Sequence, residues 1–282
     1  MTQAFNLSQL ANNVNTTGQL NAAAGLYNQT PVANGGTGLA TVTTGAILVG
    51  AGTSAMTAVP AATTNNVLTA NGSAWVSGAP QGGPAPVVTI YTTPSPWTKS
   101  PTIKSVKVTI VGGGGSGGST GPVGPSTASG GGGGGAGIGY FPAPSIPGPV
   151  TVTVGAGGAG VGPARSNGNS GGTGSFGTLL SVTGGSGGLG GPVSVSGVSG
   201  GTATTSPTVI GISGASSIDC VVAVTNTSDG ANSALAMGLG GLGKTSVAAQ
   251  GGISYGGGGG GVKNGPLSGA GSAGIVIVEE FY

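Results

Sequence analysis

Charge is what this chain of 282 residues has least of. Six basic and four acidic side chains make up 4% of it, and none precedes Lys99. Soluble domains usually carry about 25%. With so little charge repulsion to keep copies apart, self-association is the natural expectation. A net charge of +2, spread over five lysines and one arginine, is too weak for a nucleic-acid footprint, so no nucleic-acid partner is expected. Histidine is absent, which removes the commonest general base and metal ligand. Cys220 is the only cysteine, so neither an internal disulfide nor a cysteine metal site can form. No apolar run approaches the roughly 18 residues that a membrane span needs, and membrane insertion is not expected. The stretch Met1–Leu10 has no positive start and no continuous apolar core, so it does not read as a secretory leader. The expectation is synthesis in a cytoplasm without export by that route.

Glycine fills much of the space. Gly 67 and Pro 18 together are about 30% of the residues, a level at which aperiodic chains are usually disordered. Two features oppose disorder here. Mean hydropathy is +0.30, whereas disordered chains are polar and charged. The apolar residues are also largely β-branched and clustered into strand-length runs, such as Ser105–Val111, Pro149–Val154 and Gly274–Val278. Gly112–Gly115, Gly130–Gly135 and Gly256–Gly261 are uninterrupted glycine.

Four regions follow. Residues 1–30 form a short helix-capable segment with Phe5, Leu10 and Val14 near one face, suited to anchoring on another protein. Residues 31–79 contain an internal repeat: Ile47–Ala55 aligns with Val67–Trp75 at an offset of 20 residues, each copy a short strand, a glycine-containing turn and a second strand. Asn71-Gly72 predicts a two-residue hairpin turn. Units this small cannot bury their apolar side chains alone. Three chains meeting on an axis would bury Ile47, Leu48, Val67, Leu68 and Trp75, making a short fibrous shaft. Residues 80–86 are a Pro/Gly linker. Residues 87–282 alternate strands, expected at 87–91, 105–111, 149–154, 175–183, 219–225 and 274–281, with glycine-rich segments. Strict every-third glycine is missing, which excludes collagen. The glycine runs read either as extended three-residue helices packed side by side or as loops at the end of a β-sandwich. The predicted fold is all-β: an elongated fibrous homotrimer with a β-repeat shaft and a glycine-rich β domain with polyglycine-II packing as one option.

Asn6–Asn13, Pro31–Gly38 and Asn66–Trp75 resemble the N-terminal part of tailed-bacteriophage tail-fibre proteins. Val106–Gly115, Val152–Gly158, Gly174–Gly177 and Ala273–Glu280 resemble the glycine-rich domain of phage fibres and adhesins. The resemblance implies a homotrimeric virion appendage made in the host cytoplasm. Its N-terminus would dock on a tail or baseplate protein, and its outer domain would face a host surface glycan or outer-surface protein. It equally accommodates an adaptor or spacer fibre that touches no receptor. The sequence shows no chaperone after the glycine-rich region, no long coiled coil and no enzymatic domain.

Candidate sites are few. Gly238–Thr245 matches the phosphate-cradling P-loop pattern. Glycine-rich sequence produces such matches by chance, and the helix that should follow ends at Gly251-Gly252. No cofactor is expected. The only acids are Asp219, Asp229, Glu279 and Glu280. Glu279 and Glu280 are adjacent on a predicted strand, so they face opposite sides and read as charges blunting an exposed edge. Neither a catalytic site nor a metal site is expected. Tyr140, Phe141, Arg165, Asn167, Asn169 and Tyr255 are the receptor-binding candidates, because rigid aromatics among adaptable polar neighbours suit recognition. Cys220, Trp75 and Trp97 read as buried. An ice- or polysaccharide-binding protein would require a regular three-residue spacing, which the linear sequence does not display.

Overall fold

The computed structural model describes residues 3–12, 14, 16–17, 36–61, 65–80, 83–122, 125–191, 194–204, 206–221 and 227–282. Most of motif 31–38 and part of the expected strand 219–225 lie outside them. The chain divides into two units, Met1–Gly82 and Gly83–Tyr282.

Among its described residues the first unit holds one α-helix, Gln3–Ala11, and two antiparallel hairpins. Ile47–Val49 pairs with Thr57–Val59, and Val67–Ala70 with Trp75–Gly78. These are the two copies of the repeat. The second turn is longer than expected: Ala70 opposes Trp75, so residues 71–74 form a four-residue loop. Asn71 shapes it by accepting the N–H groups of Ser73 and Ala74 on Oδ1, and Gly72 takes the positive φ of 91° that the bend requires.

The second unit is built on a β-sandwich. One antiparallel sheet has the order Val209–Ile212, Ala136–Pro142, Ser105–Val111, Ile275–Phe281, Val87–Tyr91. The other has the order Leu180–Val182, Gly174–Phe176, Val150–Thr153, Ser95–Trp97. Period-two alternation sends Val106, Val108, Ile110, Val276 and Val278 inward against Val150, Val152, Phe176, Leu180 and Val182. Trp97 and Phe141 flank Phe176 at ring-centroid distances of 5.3 and 6.5 Å. The expected strand 175–183 is a hairpin turning at Gly177. Ala136–Pro142 and Val209–Ile212 were not foreseen, because each carries glycine that interrupts the apolar alternation.

At one end the sandwich strands run on into extended glycine segments. Backbone amides along 112–120 point in three directions in turn. Gly112, Gly115 and Gly118 donate to the carbonyls of Gly135, Gly132 and Ser129. Gly113, Ser116 and Ser119 donate to Gly172, Asn169 and Ser166; Gly114 and Gly117 donate to Ser272 and Gly269. Its carbonyls obey the same rule, with Gly113 and Ser116 accepting from Gly185 and Gly188, Gly115 and Gly118 from Gly259 and Val262, and Gly114 from Gly158. A hydrogen-bond direction that repeats every three residues is that of extended helices with three residues per turn, which make no internal bonds and leave every backbone group to a neighbour. Segment 112–120 therefore has six neighbours: antiparallel 127–135, 166–172 and 266–274, and parallel 155–161, 183–191 and 256–264.

Segments 127–135 and 256–264 are surrounded in the same way. The first bonds 112–120, 183–191, 194–202, 213–220, 227–234 and 256–264; the second bonds 112–120, 127–135, 227–234, 238–245, 249–253 and 266–274. Three interior segments thus sit inside a ring of nine, a hexagonal array. The three interior segments are the ones that carry the three uninterrupted glycine runs. Their residues are buried throughout, from Val111 to Thr120, Ser126 to Ala136 and Gly256 to Val262. A Cβ on Gly114 would overlap the carbonyl oxygen of Gly257, and one on Gly134 that of Gly112. The glycine runs are therefore packed helices and not loops.

In the ring only the outward third position is released from that constraint. Ala156 and Ala159, Leu239 and Leu242, Gln250 and Ile253, and Ala270 and Ala273 are exposed at intervals of three. The three-residue spacing that the linear sequence hides is present in the array, with its phase reset in every segment.

Candidate functional site: the free end of the array

The array has two unlike ends. At the sandwich end the segments meet strands directly, as at Val111-Gly112, Gly135-Ala136 and Gly274-Ile275. The domain itself begins and finishes beyond the opposite end of the sandwich. Val87 pairs with Glu280 there, and Gly83 lies against the carbonyl of Tyr282. The turns joining segments 112–120 to 127–135, 155–161 to 166–172, 238–245 to 249–253 and 256–264 to 266–274 gather at the other extreme, as far from the domain's start as its fold allows. They form the free end.

Three parallel pieces meet there: Lys244–Thr245, Val262–Lys263 and Ser119–Thr120. Lys244 lies opposite Val262 and Lys263 opposite Thr120, which sets two cations in adjacent register rows. Arg165 occupies the neighbouring turn, which Ser119 ties down by donating its Oγ to the carbonyls of Gly162 and Ala164. Half of the chain's cations therefore lie at this end. The others, Lys99, Lys104 and Lys107, belong to the sandwich, where Lys99 Nζ donates to the carbonyls of Ala143 and Ile146 at 3.2 and 3.1 Å. The acids Asp219 and Asp229 stand on the nearby ring segments and staple them, accepting the N–H groups of Gly197 and Gly243 at 2.7 and 2.8 Å.

The residues selected from sequence do not converge. Arg165 is exposed at the free end, and Asn167 and Asn169 follow it on segment 166–172. Their side chains are partly committed: Asn167 Oδ1 accepts the Gly190 N–H, and Asn169 Nδ2 donates to the Ala159 carbonyl. Tyr255 lies in the turn at the sandwich end, away from Arg165. Tyr140 is exposed on the outer face of the five-stranded sheet. Phe141 is a correction: at 5% exposure it is part of the sandwich core, because alternation along its strand turns it inward where Tyr140 turns outward. Lys244 and Lys263 were missed. Their signal in the sequence is a lysine just beyond the end of a glycine run.

The P-loop match also resolves. Gly240, Gly241, Gly243 and Lys244 donate their N–H groups to Asn232 Oδ1, the Gly258 carbonyl, Asp229 Oδ1 and the Gly261 carbonyl. Amides already bound in the array cannot cradle a phosphate. Glu279 and Glu280 do face opposite sides, but their strand lies between two others and is not an edge. Glu279 binds Lys107 at 2.6 Å outside, while Glu280 is buried inside.

The sequence model of one family, described as a glycine-rich domain, matches residues 88–280. The chain belongs to this glycine-rich domain family. No curated protein matches it. The matched span begins in the Val87 strand and ends in the Ile275 strand, so the glycine-rich domain comprises both sandwich and array. Among the described residues no helix is long and apolar enough to cross a membrane, and no three His, Cys, Asp or Glu side chains are grouped to hold a metal.

Proposed function

We propose that this protein is a tail fibre of a tailed bacteriophage that attaches the virion to the host cell surface, with the glycine-rich domain as its receptor-facing end. The observation that carries the reading is the polarity of that domain. Its start and finish lie together beyond one end of the sandwich, and its turns are collected at the opposite end of a rigid array. Such a layout fixes the domain from one side and offers loops from the other, as a recognition scaffold requires.

Arg165, Lys244 and Lys263 give the free end its chemistry, which suits an anionic surface glycan or the acidic loops of an outer-surface protein. The first unit supplies the rest of the reading. Ile47, Leu48, Val67, Leu68 and Trp75 are each 37–50% exposed in the single chain, which supports their assignment to a trimer core. Three copies on one axis would carry three free ends, and weak sites held together gain avidity. The N-terminal segment would dock on a tail or baseplate protein. The role is structural and non-catalytic.

The test is adsorption. Labelled full-length chain should bind whole cells of a susceptible host and slow phage adsorption, and replacing Arg165, Lys244 and Lys263 with alanine should lower cell binding at least tenfold without changing the fold. A chain that assembles on tails but binds no cells would make it a spacer fibre. A chain that does neither would end the tail-fibre reading.

A further inference from the structure

The outward residues of the ring change character around the array. Segments 166–172, 183–191 and 194–202 are consecutive ring neighbours. The amides of Gly168 and Gly171 donate to the carbonyls of Gly188 and Gly185, and those of Thr183 and Ser186 to Thr202 and Ser199. Segment 213–220 follows, with Gly214 and Ser217 donating to Gly201 and Val198. This register sets the outward side chains in rows. Thr173, Thr183, Thr202 and Ser213 form one row, and Ser170, Ser186, Ser199 and Ser216 the next. Within a row the hydroxyls are about 4.8 Å apart, the spacing of hydrogen-bonded neighbours. Between rows the gap is about 9 Å, three residues of extended helix. Ser186 is half-buried and the other seven are exposed. Elsewhere on the ring the outward residues are aliphatic: Leu239, Leu242 and Ile253 on one side, Ala156, Ala159, Ala270 and Ala273 on another. All are exposed alike in the single chain, so the need for solubility does not account for hydroxyls gathered on one side.

We propose that this hydroxyl face binds an extended, uncharged polysaccharide. Polysaccharide binding by such a chain requires a regular three-residue spacing; the linear sequence hides it and the array supplies it. A polymer of hydroxyl groups is recognised by donors and acceptors repeated at its own interval. One hydroxyl per 4.8 Å or so along a row is about one per sugar ring of an extended chain. Among the described residues, Thr173, Ser186, Ser199, Ser213 and Ser216 spend no side-chain hydrogen bond inside the protein, so each keeps a donor and its acceptor lone pairs for a ligand. Others are held in place: Thr183 Oγ1 accepts the Thr202 N–H at 2.8 Å, and Ser170 Oγ accepts that of Gly187 at 3.4 Å. Short side chains on a backbone locked by its neighbours lose little freedom on binding, which lets weak bonds add. Neither row contains a charge, and Asp219 beside them already holds the Gly197 N–H. A neutral chain therefore fits this face, whereas the cations of the free end suit an anion. The two sites are separate, and the proposal does not rest on the tail-fibre reading.

The experiment is retention of the full-length chain on beads of chitin and of cellulose, whose β-linked chains are extended, with cross-linked dextran, whose chains coil, for comparison. The wild type should be retained on chitin or cellulose at least tenfold more than on dextran. Retention should be the same in about 0.1 M and about 1 M salt, since screening acts only on charges. T173A/S186A/S199A removes three hydroxyls that hold nothing inside the protein, so its thermal midpoint should match the wild type while retention falls at least tenfold. S199R gives a second answer by placing a long side chain across the rows, and should lose retention as well. L239S/L242S, elsewhere on the ring, and R165A/K244A/K263A, at the free end, should be retained as the wild type is. A wild type that binds neither extended polymer, or a triple hydroxyl variant retained like the wild type, overturns the proposal and leaves the tail-fibre reading standing. Retention that salt or R165A/K244A/K263A abolishes overturns it too, and moves glycan binding to the free end.

Discussion

The indole N–H of Trp97 donates to Glu280 Oε1 at 2.7 Å, across 183 residues of sequence. The other carboxylate oxygen of Glu280 accepts the Tyr282 hydroxyl at 2.7 Å. Both oxygens of an acid that is 8% exposed are thus satisfied, and the bond joins the two sheets of the sandwich. A buried donor left without its acceptor costs about 1–3 kcal/mol. Glu280→Ala should therefore lower stability by roughly that amount. Glu280→Gln, which keeps an acceptor for Trp97, should lose less. Urea unfolding followed by Trp97 fluorescence, with Trp75 replaced by phenylalanine to remove its signal, ranks the two. Equal losses would show that the indole bond is not what matters.

Glycine substitutions should separate sharply by position. A Cβ at Gly114, Gly131 or Gly134 would overlap a backbone carbonyl of an adjoining segment, and backbone in a hydrogen-bonded array cannot step aside. Gly134→Ala should cost more than about 4 kcal/mol, the exceptional end of single-mutation effects, and yield little folded protein. Nothing lies within 4 Å of a Cβ built on Gly162 or Gly148. Gly162→Ala should change stability by no more than about 1 kcal/mol in either direction. Thermal unfolding of the two variants gives the comparison, and similar midpoints would contradict the array.

Stability should fall at alkaline pH. Burial, and then the charge of Glu280, raises the Tyr91 pKa above 10.0. The hydrogen bond to Glu279 raises that of Lys107 above 10.5, and the bond to Glu280 raises that of Tyr282 above 10.0. Each group holds its proton more tightly when folded, so its contribution is complete below the unfolded pKa and is lost as pH rises through the folded one. The unfolding midpoint should stay level to about pH 10 and drop above it. Lys107→Met should lessen the drop. The exposure of Lys107 and Tyr282 keeps their individual shares small.

Nucleotide should not bind Gly238–Thr245, since its amides are committed within the array. ATP with magnesium should leave the melting temperature unchanged, and Lys244→Ala should behave identically in that assay. A nucleotide-dependent rise that Lys244→Ala abolishes would restore the P-loop reading.

The sandwich was partly legible in the sequence. Ser105–Val111 and Ile275–Phe281 announce themselves by β-branched runs, whereas Ala136–Pro142 is masked by Gly137 and Gly139. Those two glycines are spatial requirements: Cβ atoms there would press on Leu180 and on Phe141. The array was legible only as an alternative. A helix whose partners are all backbone leaves no apolar periodicity, and its three-residue rhythm surfaces solely where ring positions such as Ala156 and Ala159 point outward. The free end was least legible, because Lys244, Lys263 and Arg165 are separated in sequence and brought to one end by turns between segments. Phe141 failed for a simpler reason. An aromatic beside a proline-rich turn reads as exposed until the strand's alternation assigns it a side.

An array whose core is mostly backbone separates two demands that most proteins must meet with the same residues. Interior positions such as Gly114 and Gly134 admit a single residue type, while the outward third positions of the ring are free of that constraint except where, as at Asp229 and Asn232, a side chain staples the next segment. Replacing Ala156, Ala159, Leu242, Gln250 or Ala270 rewrites the surface without reopening the core. Turns at the free end can lengthen at the modest entropic cost of a longer loop. Such a domain can exchange its surface chemistry in single steps that are nearly neutral for folding, and its tolerance map should alternate with period three around an invariant centre.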